Sequence, residues 1–239
     1  MILLAGIAIG AGHASTVVLE NGVANDLSDG TRYEGTADAY LFEDMRSTNF
    51  GGPSSICVGN MSARGGTNRR MTALLRFDLS SLAGARATGP ATLSLTQVGG
   101  SGDTGQGTFE FKVYEIVAKN ADWIPGKQGG VEGLIDEPTW DFKAMPSTPW
   151  AGSPGLNEPG TDHETEPVAA VTYKESDGTE HVVQIQIPAS LIQKWIDHPE
   201  SNGGLLFVWE AGDRILGQFR SADFPVNGQR PRLQIDYKK

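Results

Sequence analysis

The chain has 239 residues, of which 38% are hydrophobic and 20% are charged. This length and balance allow a sizeable buried core and exclude a disordered polymer or a collagen-like fibre. Acidic residues outnumber basic ones by 29 to 19, so we do not expect a nucleic-acid-binding surface, which would be strongly basic. The single cysteine, Cys57, excludes disulfides within the chain and metal sites built from several cysteines.

The beginning of the chain has the pattern of a secretory signal peptide. Residues 2–12, ILLAGIAIGAG, are uncharged and mostly apolar, and the run ends at small residues. It is shorter than the roughly 20 apolar residues that a membrane span needs, and no later stretch is longer. We therefore predict a signal peptide over 1–14, a single exported domain over 15–239, and no membrane insertion.

After this segment, short runs of alternating apolar and polar residues predict β-strands. Turn-forming residues separate the runs and are abundant, with 31 glycines and 13 prolines. The predicted strands are 39–42, 55–58, 71–77, 91–98, 108–117, 181–187, 205–209, 214–219 and 232–237. So many short strands predict an all-β fold, a single β-sandwich of jelly-roll type.

Residues 119–167 do not follow the strand pattern. Their periodicity is weak, and they are rich in glycine, proline, acidic residues and tryptophan. We expect a long loop region that packs on the sandwich and buries Trp123, Trp140 and Trp150, because large aromatic side chains are mostly buried.

One short α-helix is predicted between Pro188 and Pro199. Proline is favoured at the start of a helix and stops one that runs into it. Four apolar residues between the two prolines would share one helical face: Leu191, Ile192, Trp195 and Ile196. We expect Trp195 to anchor this helix in the core.

The sequence carries no recognisable catalytic motif. It contains no HExxH zinc pattern, no G-x-S-x-G elbow and no phosphate loop. We expect His163, His181 and His198 to be solvated polar residues, and Cys57 to be a buried, inert thiol. The protein is therefore predicted to be non-enzymatic, with no catalytic residues, no cofactor and no metal ligands.

A structural calcium ion is an alternative to the metal-free prediction. Two acidic turns place several oxygen atoms close together, which suits a hard cation. Neither turn follows the order of an EF-hand loop. The turns are formed by Asp26, Asp29 and Gly30, and by Asp177, Gly178 and Glu180.

Charge is strongly segregated along the chain. Residues 45–77 contain five arginines and no acid, whereas residues 121–181 contain twelve acids and three lysines. Residues 214–239 are again basic, with six bases and two acids. A surface that serves only solubility would mix the two signs. The arginines could bind an external anion, or they could pair with the chain's own acidic segment, and the sequence leaves both interpretations open.

Strand alternation predicts where two of these arginines point. Over residues 70–78, Met71 and Phe77 belong to the inward-facing set, so Arg70 and Arg76 fall on the outer face of the sheet. A guanidinium group binds a carboxylate or sulfate through two parallel hydrogen bonds. Two arginines on an outer face therefore suit an acidic ligand.

Several motifs together resemble the DNRLRE-domain family of secreted proteins, which includes alginate-binding carbohydrate-binding modules. The clearest of them is LLRFDLSSL at residues 74–82. The others include ADAY at 37–40, NFG at 49–51, ATLSL at 91–95, QKW at 193–195, NGGLL at 202–206, FRSAD at 219–223 and RPRL at 230–233. The resemblance implies an exported β-sandwich of jelly-roll type. It also implies non-catalytic glycan binding, on a basic surface near the start of the domain.

The sequence therefore predicts a secreted, non-catalytic module, located outside the cell or at its surface, that binds an acidic polysaccharide such as an alginate-like uronate polymer. Arginines would clamp the carboxylates and a tyrosine ring would stack on the sugar. The predicted binding residues are Tyr40, Arg46, Arg64, Arg69, Arg70 and Arg220. Two alternatives stay open: a structural or adhesion domain without a glycan ligand, and a polysaccharide lyase or hydrolase.

Overall fold

A computed structural model describes residues 14–25, 27, 30–61, 69–102, 108–211 and 214–239. These residues form an all-β structure with a single α-helix, α1 (Ala189–Asp197). The strands are β1 (Ala14–Leu19), β2 (Val23–Ala24), β3 (Arg32–Tyr33), β4 (Thr36–Phe42), β5 (Thr48–Phe50), β6 (Ser55–Met61), β7 (Arg69–Phe77), β8 (Arg86–Ala87), β9 (Ala91–Gly102), β10 (Thr108–Glu115), β11 (Gly129–Glu132), β12 (Phe142–Ala144), β13 (Thr148–Pro149), β14 (Ala169–Lys174), β15 (Val182–Ile187), β16 (Leu205–Val208), β17 (Ile215–Arg220) and β18 (Arg232–Lys238).

All nine predicted strands are present. Several carry the period-two pattern of a half-buried strand, whereas the four residues of β16 are all buried. In β15, for example, Val183, Ile185 and Ile187 are buried while the residues between them are exposed. The strands that the sequence did not predict are mostly two to four residues long, which is too short to show an alternation of apolar and polar residues. β1 and β14 are longer; in β14, Val171 and Tyr173 alternate inward inside a stretch rich in acids.

Twelve of the strands form one curled antiparallel sheet. β9 joins its two halves: the first part of the strand pairs with β15 and β18, and the second part pairs with β17. Gly99, at a φ of 135°, lies where the pairing changes, in a backbone conformation that residues with a side chain rarely adopt. Because both halves turn their apolar faces inward, they enclose one main hydrophobic core.

The helix closes one side of this core, as predicted. Leu191, Ile192, Trp195 and Ile196 are all buried. Pro188 directly precedes the first helical residue, and the Trp195 indole nitrogen donates to the Glu115 carboxylate at 3.2 Å. The helix is short, and among the described residues no helix has the length and apolar character needed to cross a membrane.

A second core lies on the opposite face of the sheet, beneath the long loop region. The prediction that the three loop tryptophans are buried is confirmed, with exposures of 1% for Trp123 and 3% each for Trp140 and Trp150. They form one apolar cluster with residues of β4, β7, β10 and β16. The loop thus forms a third layer over the sheet, which leaves Leu74 of β7 with no exposed surface.

This layer corrects the expectation that Arg70 and Arg76 lie on an open outer face. The alternation itself is as predicted, because Met71, Ala73, Leu75 and Phe77 belong to the inner clusters. The Arg76 guanidinium, however, lies under the loop. It donates to the carbonyl oxygens of Ala121 and Trp123, and its carbon is 4.9 Å from the centre of the Trp123 ring. Arg76 therefore holds the loop on the sheet.

Residues 1–13 of the predicted signal peptide lie outside the described part of the chain. Ala14, the last residue of that prediction, is the first residue of β1 and lies opposite Lys238 of β18.

Candidate functional site

Three of the predicted arginines gather at one end of the sheet, where β7 begins and the turn after β4 packs against it. The Arg70 backbone N–H donates to the Glu43 carboxylate at 3.1 Å. Arg69 lies 3.6 Å from the same carboxylate, and Arg46 donates through Nε to Asp141 at 3.1 Å. Arg46 and Arg69 are therefore paired with carboxylates of the chain. For Arg46 the partner belongs to the acidic segment 121–181.

Arg220 lies at the other end of the sheet. It is opposite Ser55 at the start of β6, whereas Arg69 is opposite Met61 at the end of that strand. Six strand residues separate these positions by roughly 20 Å. The Arg220 guanidinium stacks on the Phe224 ring at 3.9 Å. Arg220 thus does not join the other arginines, and Arg64 lies outside the described residues.

Tyr40 and Arg70 point to opposite faces of the sheet. Tyr40 is directly opposite Ala73, which faces the main core, and its ring stacks on Phe50 with 4.3 Å between centres. Arg70 is three positions before Ala73 in β7, so its side chain points to the opposite face of the sheet, away from the main core. The structure therefore does not combine Tyr40 and Arg70 in one site.

Arg70 instead lines a cavity of about 260 Å³ between the sheet and the long loop. Its guanidinium donates to the amide oxygen of Asn157 in the loop. Across the cavity, the Tyr114 hydroxyl donates to the Glu210 carboxylate. Burial and this carboxylate raise the pKa of Tyr114 to about 12, so the phenol keeps its proton at neutral pH.

His163 completes this group, which we call the Arg70 cavity. The prediction that His163 is solvated is wrong: its side chain is 6% exposed, and its ring centre is 4.5 Å from that of Tyr114. Nδ1 lies 2.7 Å from the Glu164 carbonyl oxygen. In the neutral ring Nδ1 therefore carries the proton and Nε2 is the acceptor. The acidic run DHETE suggested solvent exposure, but its Asp162 is fully buried and holds the loop from inside.

A second cavity, of about 500 Å³, lies on the other side of the sheet. It forms where the segments 37–40, 49–51 and 219–223, which carry three of the family-like motifs, meet the loop at 125–127. Asp38, which lines this cavity, was not predicted as a site residue. An acid at an inward-facing position of an otherwise apolar strand was the signal that could have identified it.

A third cavity, of about 650 Å³, adjoins the second. Four acidic residues line it together with a single arginine, Arg76, whose guanidinium already binds the loop carbonyls. The acids are Glu34, Asp78, Asp122 and Glu200. This excess of negative charge is unfavourable for an anionic ligand.

Cys57 is buried, as predicted, and lies next to Gln218. Burial raises the pKa of its thiol to about 11. At pH 8 only about one thiol in a thousand is then ionised, and the thiolate is the reactive form. We expect no measurable reaction of the native protein with a thiol reagent within minutes, and stoichiometric labelling after unfolding in guanidinium chloride. Rapid labelling of the native protein would contradict this expectation.

Of the two predicted calcium turns, one can be described. Its Asp177 carboxylate lies 3.4 Å from Nε2 of His181, within a solvent-exposed turn between β14 and β15. Asp26 and Asp29 of the other turn lie outside the described residues. The predicted calcium sites at these two turns therefore stay predictions.

Comparison with protein-family models gives no match for this chain, and comparison with curated proteins gives none either. The DNRLRE resemblance therefore stays a prediction from the motifs.

Proposed function

We propose that the protein is a secreted, non-catalytic module that binds an acidic polysaccharide, and that the Arg70 cavity receives a sugar carboxylate. The observation that carries this proposal is the partner of Arg70. Arg46 and Arg69 face carboxylates, whereas the Arg70 guanidinium bonds the neutral amide of Asn157. The Asn157 amide carries no charge, so it does not neutralise the Arg70 guanidinium.

The size and lining of the Arg70 cavity support a sugar ligand. Its volume of about 260 Å³ lies just below the roughly 300 Å³ at which small-molecule pockets begin, which is room for one sugar unit of a chain. Tyr114 and His163 both line the cavity, and their rings combine an apolar body with polar edges, as sugar rings require. The Asn157 amide holds the guanidinium in place, which lowers the entropy lost on binding.

The Arg70→Ala variant tests this proposal. Loss of a charged hydrogen-bonding partner costs about 1.5–3 kcal/mol, so affinity for a uronate polymer is expected to fall about 10- to 100-fold. Affinity gels containing alginate, pectate or neutral glucan measure the effect. The wild-type protein should be retarded only by the two uronate polymers, and less so at high salt, which screens charge.

Arg86→Ala is the matched control, because it removes the same charge from an exposed position on β8, in the other half of the sheet. It should leave retardation unchanged. Equal retardation of Arg70→Ala and wild type would reject the Arg70 cavity as the binding site. Equal or absent retardation of the wild type in all three gels would reject acidic-glycan binding and favour the structural or adhesion alternative.

The same side chains make β-elimination of a uronate a second candidate function. Arg70 would neutralise the carboxylate and so acidify the neighbouring C5 proton, which His163 Nε2 would accept. The C4–O bond would then break as the C4–C5 double bond forms, and the protonated Tyr114 hydroxyl would supply the proton to the departing oxygen. Ultraviolet absorbance of the unsaturated product measures this activity. No rise in absorbance with the wild-type protein would reject the lyase and leave binding as the function.

A further inference from the structure

The second cavity contains a buried carboxylate, Asp38, that forms no ion pair with a described lysine or arginine, although Lys127 also lines the cavity. Asp38 is 4% exposed, and within the described part of the chain one hydrogen bond reaches its carboxylate, from the Ala222 backbone N–H at 2.6 Å. No lysine or arginine of these residues forms an ion pair with it. A buried charge held by one hydrogen bond is costly, so the carboxyl either takes up a proton or is neutralised by a ligand.

A second carboxylate is placed at the mouth of the same cavity. Asp223 follows Ala222 directly and is exposed to solvent. Burial raises the pKa of Asp38 to about 7, and the negative charge of Asp223 adds to that rise. The charged groups Lys127 and Arg230 lower the pKa of Asp223, although burial raises it more. The charge of Asp223 thus disfavours ionisation of Asp38, and both carboxylates line the same cavity.

An unpartnered hydroxyl is the independent sign of a ligand. Thr36 is 9% exposed, and its Oγ1 has no hydrogen-bond partner within the described residues. The nearby Tyr33 hydroxyl donates to the Asp78 carbonyl oxygen instead. Thr36 and Asp38 are two positions apart on β4, so both side chains leave the same face and both line the cavity. A buried hydroxyl without a partner is uncommon in native proteins.

We propose that this cavity is a calcium site, in which Asp38, Asp223 and Thr36 Oγ1 bind a Ca²⁺ ion together with water. The donor set consists of oxygen atoms alone, which suits a hard cation rather than zinc or copper. Among the described residues no three His, Cys, Asp or Glu side chains gather around a metal position, so the hydroxyl and water are needed to complete the coordination. The cavity of about 500 Å³ holds such water, and Ca²⁺ accepts six to eight irregularly placed oxygens, whereas Mg²⁺ demands an octahedron. This proposal does not depend on glycan binding.

Thermal unfolding of the metal-stripped protein during calcium titration tests the site. A cation that binds only the folded state raises the melting temperature, by about 5–10 °C at a hundredfold excess over the dissociation constant. The shift should saturate and should be smaller with Mg²⁺. Calorimetric affinity should rise as the pH increases from 6 to 8, because the proton on Asp38 competes with the cation. Absence of a saturable shift with the wild-type protein would overturn the proposal.

Two variants locate the ion. Asp223 lies at the solvent-exposed mouth of the cavity, so the Asp223→Asn variant should fold normally. Calcium should no longer raise its melting temperature. Asp177→Asn combined with Glu180→Gln is the matched control at the exposed acidic turn, and it should leave the shift intact. A shift that survives Asp223→Asn, or one that only the turn variant abolishes, would show that calcium binds elsewhere.

Discussion

Replacing Asp162 with asparagine is expected to lower the free energy of unfolding by about 3–5 kcal/mol, because two buried N–H groups would then face an amide NH₂. The Asp162 carboxylate is fully buried and accepts four hydrogen bonds, two on each oxygen. The donors are the backbone N–H groups of Gly152 and Ser153, each at 2.8 Å, that of Glu158 at 3.0 Å, and the Asn120 side chain at 3.1 Å. An amide keeps the shape of the side chain but offers one acceptor oxygen instead of two.

Denaturant and thermal unfolding measure this change, and the melting temperature should fall by about 6–20 °C. Glu132→Gln is the matched control, since it makes the same chemical change at an exposed position of β11. It should alter stability by less than about 0.5 kcal/mol. Equal stabilities of the two variants would contradict the idea that Asp162 holds the loop from inside.

Asn49→Asp is expected to be at least as damaging, for the converse reason. The Asn49 side chain has no exposed surface and uses all of its hydrogen-bonding capacity. Its NH₂ group donates to the carbonyl oxygens of Pro125 and Pro138, both at 2.9 Å, while its oxygen accepts from Gly51 at 3.1 Å and Gln128 at 3.0 Å. A carboxylate would turn an oxygen toward two carbonyl oxygens, at an expected cost of about 3–5 kcal/mol.

The pH dependence identifies the cause. Burial beside carbonyl oxygens raises the pKa of the new carboxyl group in the folded state, so the folded protein binds more protons than the unfolded one. The deficit in stability should therefore grow as the pH rises above about 4. Asn227→Asp, at an exposed position, is the control and should show little change. A deficit independent of pH would point to a packing defect instead.

Asn49 also connects stability with the proposed calcium site. Gly51 and Pro125, which its side chain ties together, both line the Asp38 cavity. A Cβ atom on Gly51 would lie 1.9 Å from the Pro125 carbonyl oxygen, so only glycine allows this approach. We therefore expect Asn49→Asp to weaken the response to calcium as well, provided that the variant is studied below its melting temperature.

Residue patterns within short segments predicted much of this fold correctly. The helix followed from four apolar residues at helical spacing between prolines, and strands such as β15 followed from strict alternation. The burial of the loop tryptophans followed from their size. β5 and β11 were not predicted, because strands of three and four residues are defined by the partner they find.

The candidate site was predictable only in part. The segregation of charge singled out Arg70, but alternation along β7 could not show that a third layer covers its face. His163 was misjudged because it lies among acids in sequence, whereas in space it meets Tyr114 of β10. Asp38 was not predicted as a site residue, because nothing near it in sequence shows that Asp223 shares its cavity.

The sequence by itself determined the all-β class, the position of the helix and which residues of β7 face the core, because these depend on the chemistry of neighbours a few positions apart. Only the tertiary structure decided which partners the charged groups find. Arg46 meets Asp141 across 95 residues, and Asp38 meets the Ala222 backbone across 184. Electrostatic partners are chosen by distance in space, and that distance exists only after the chain has folded.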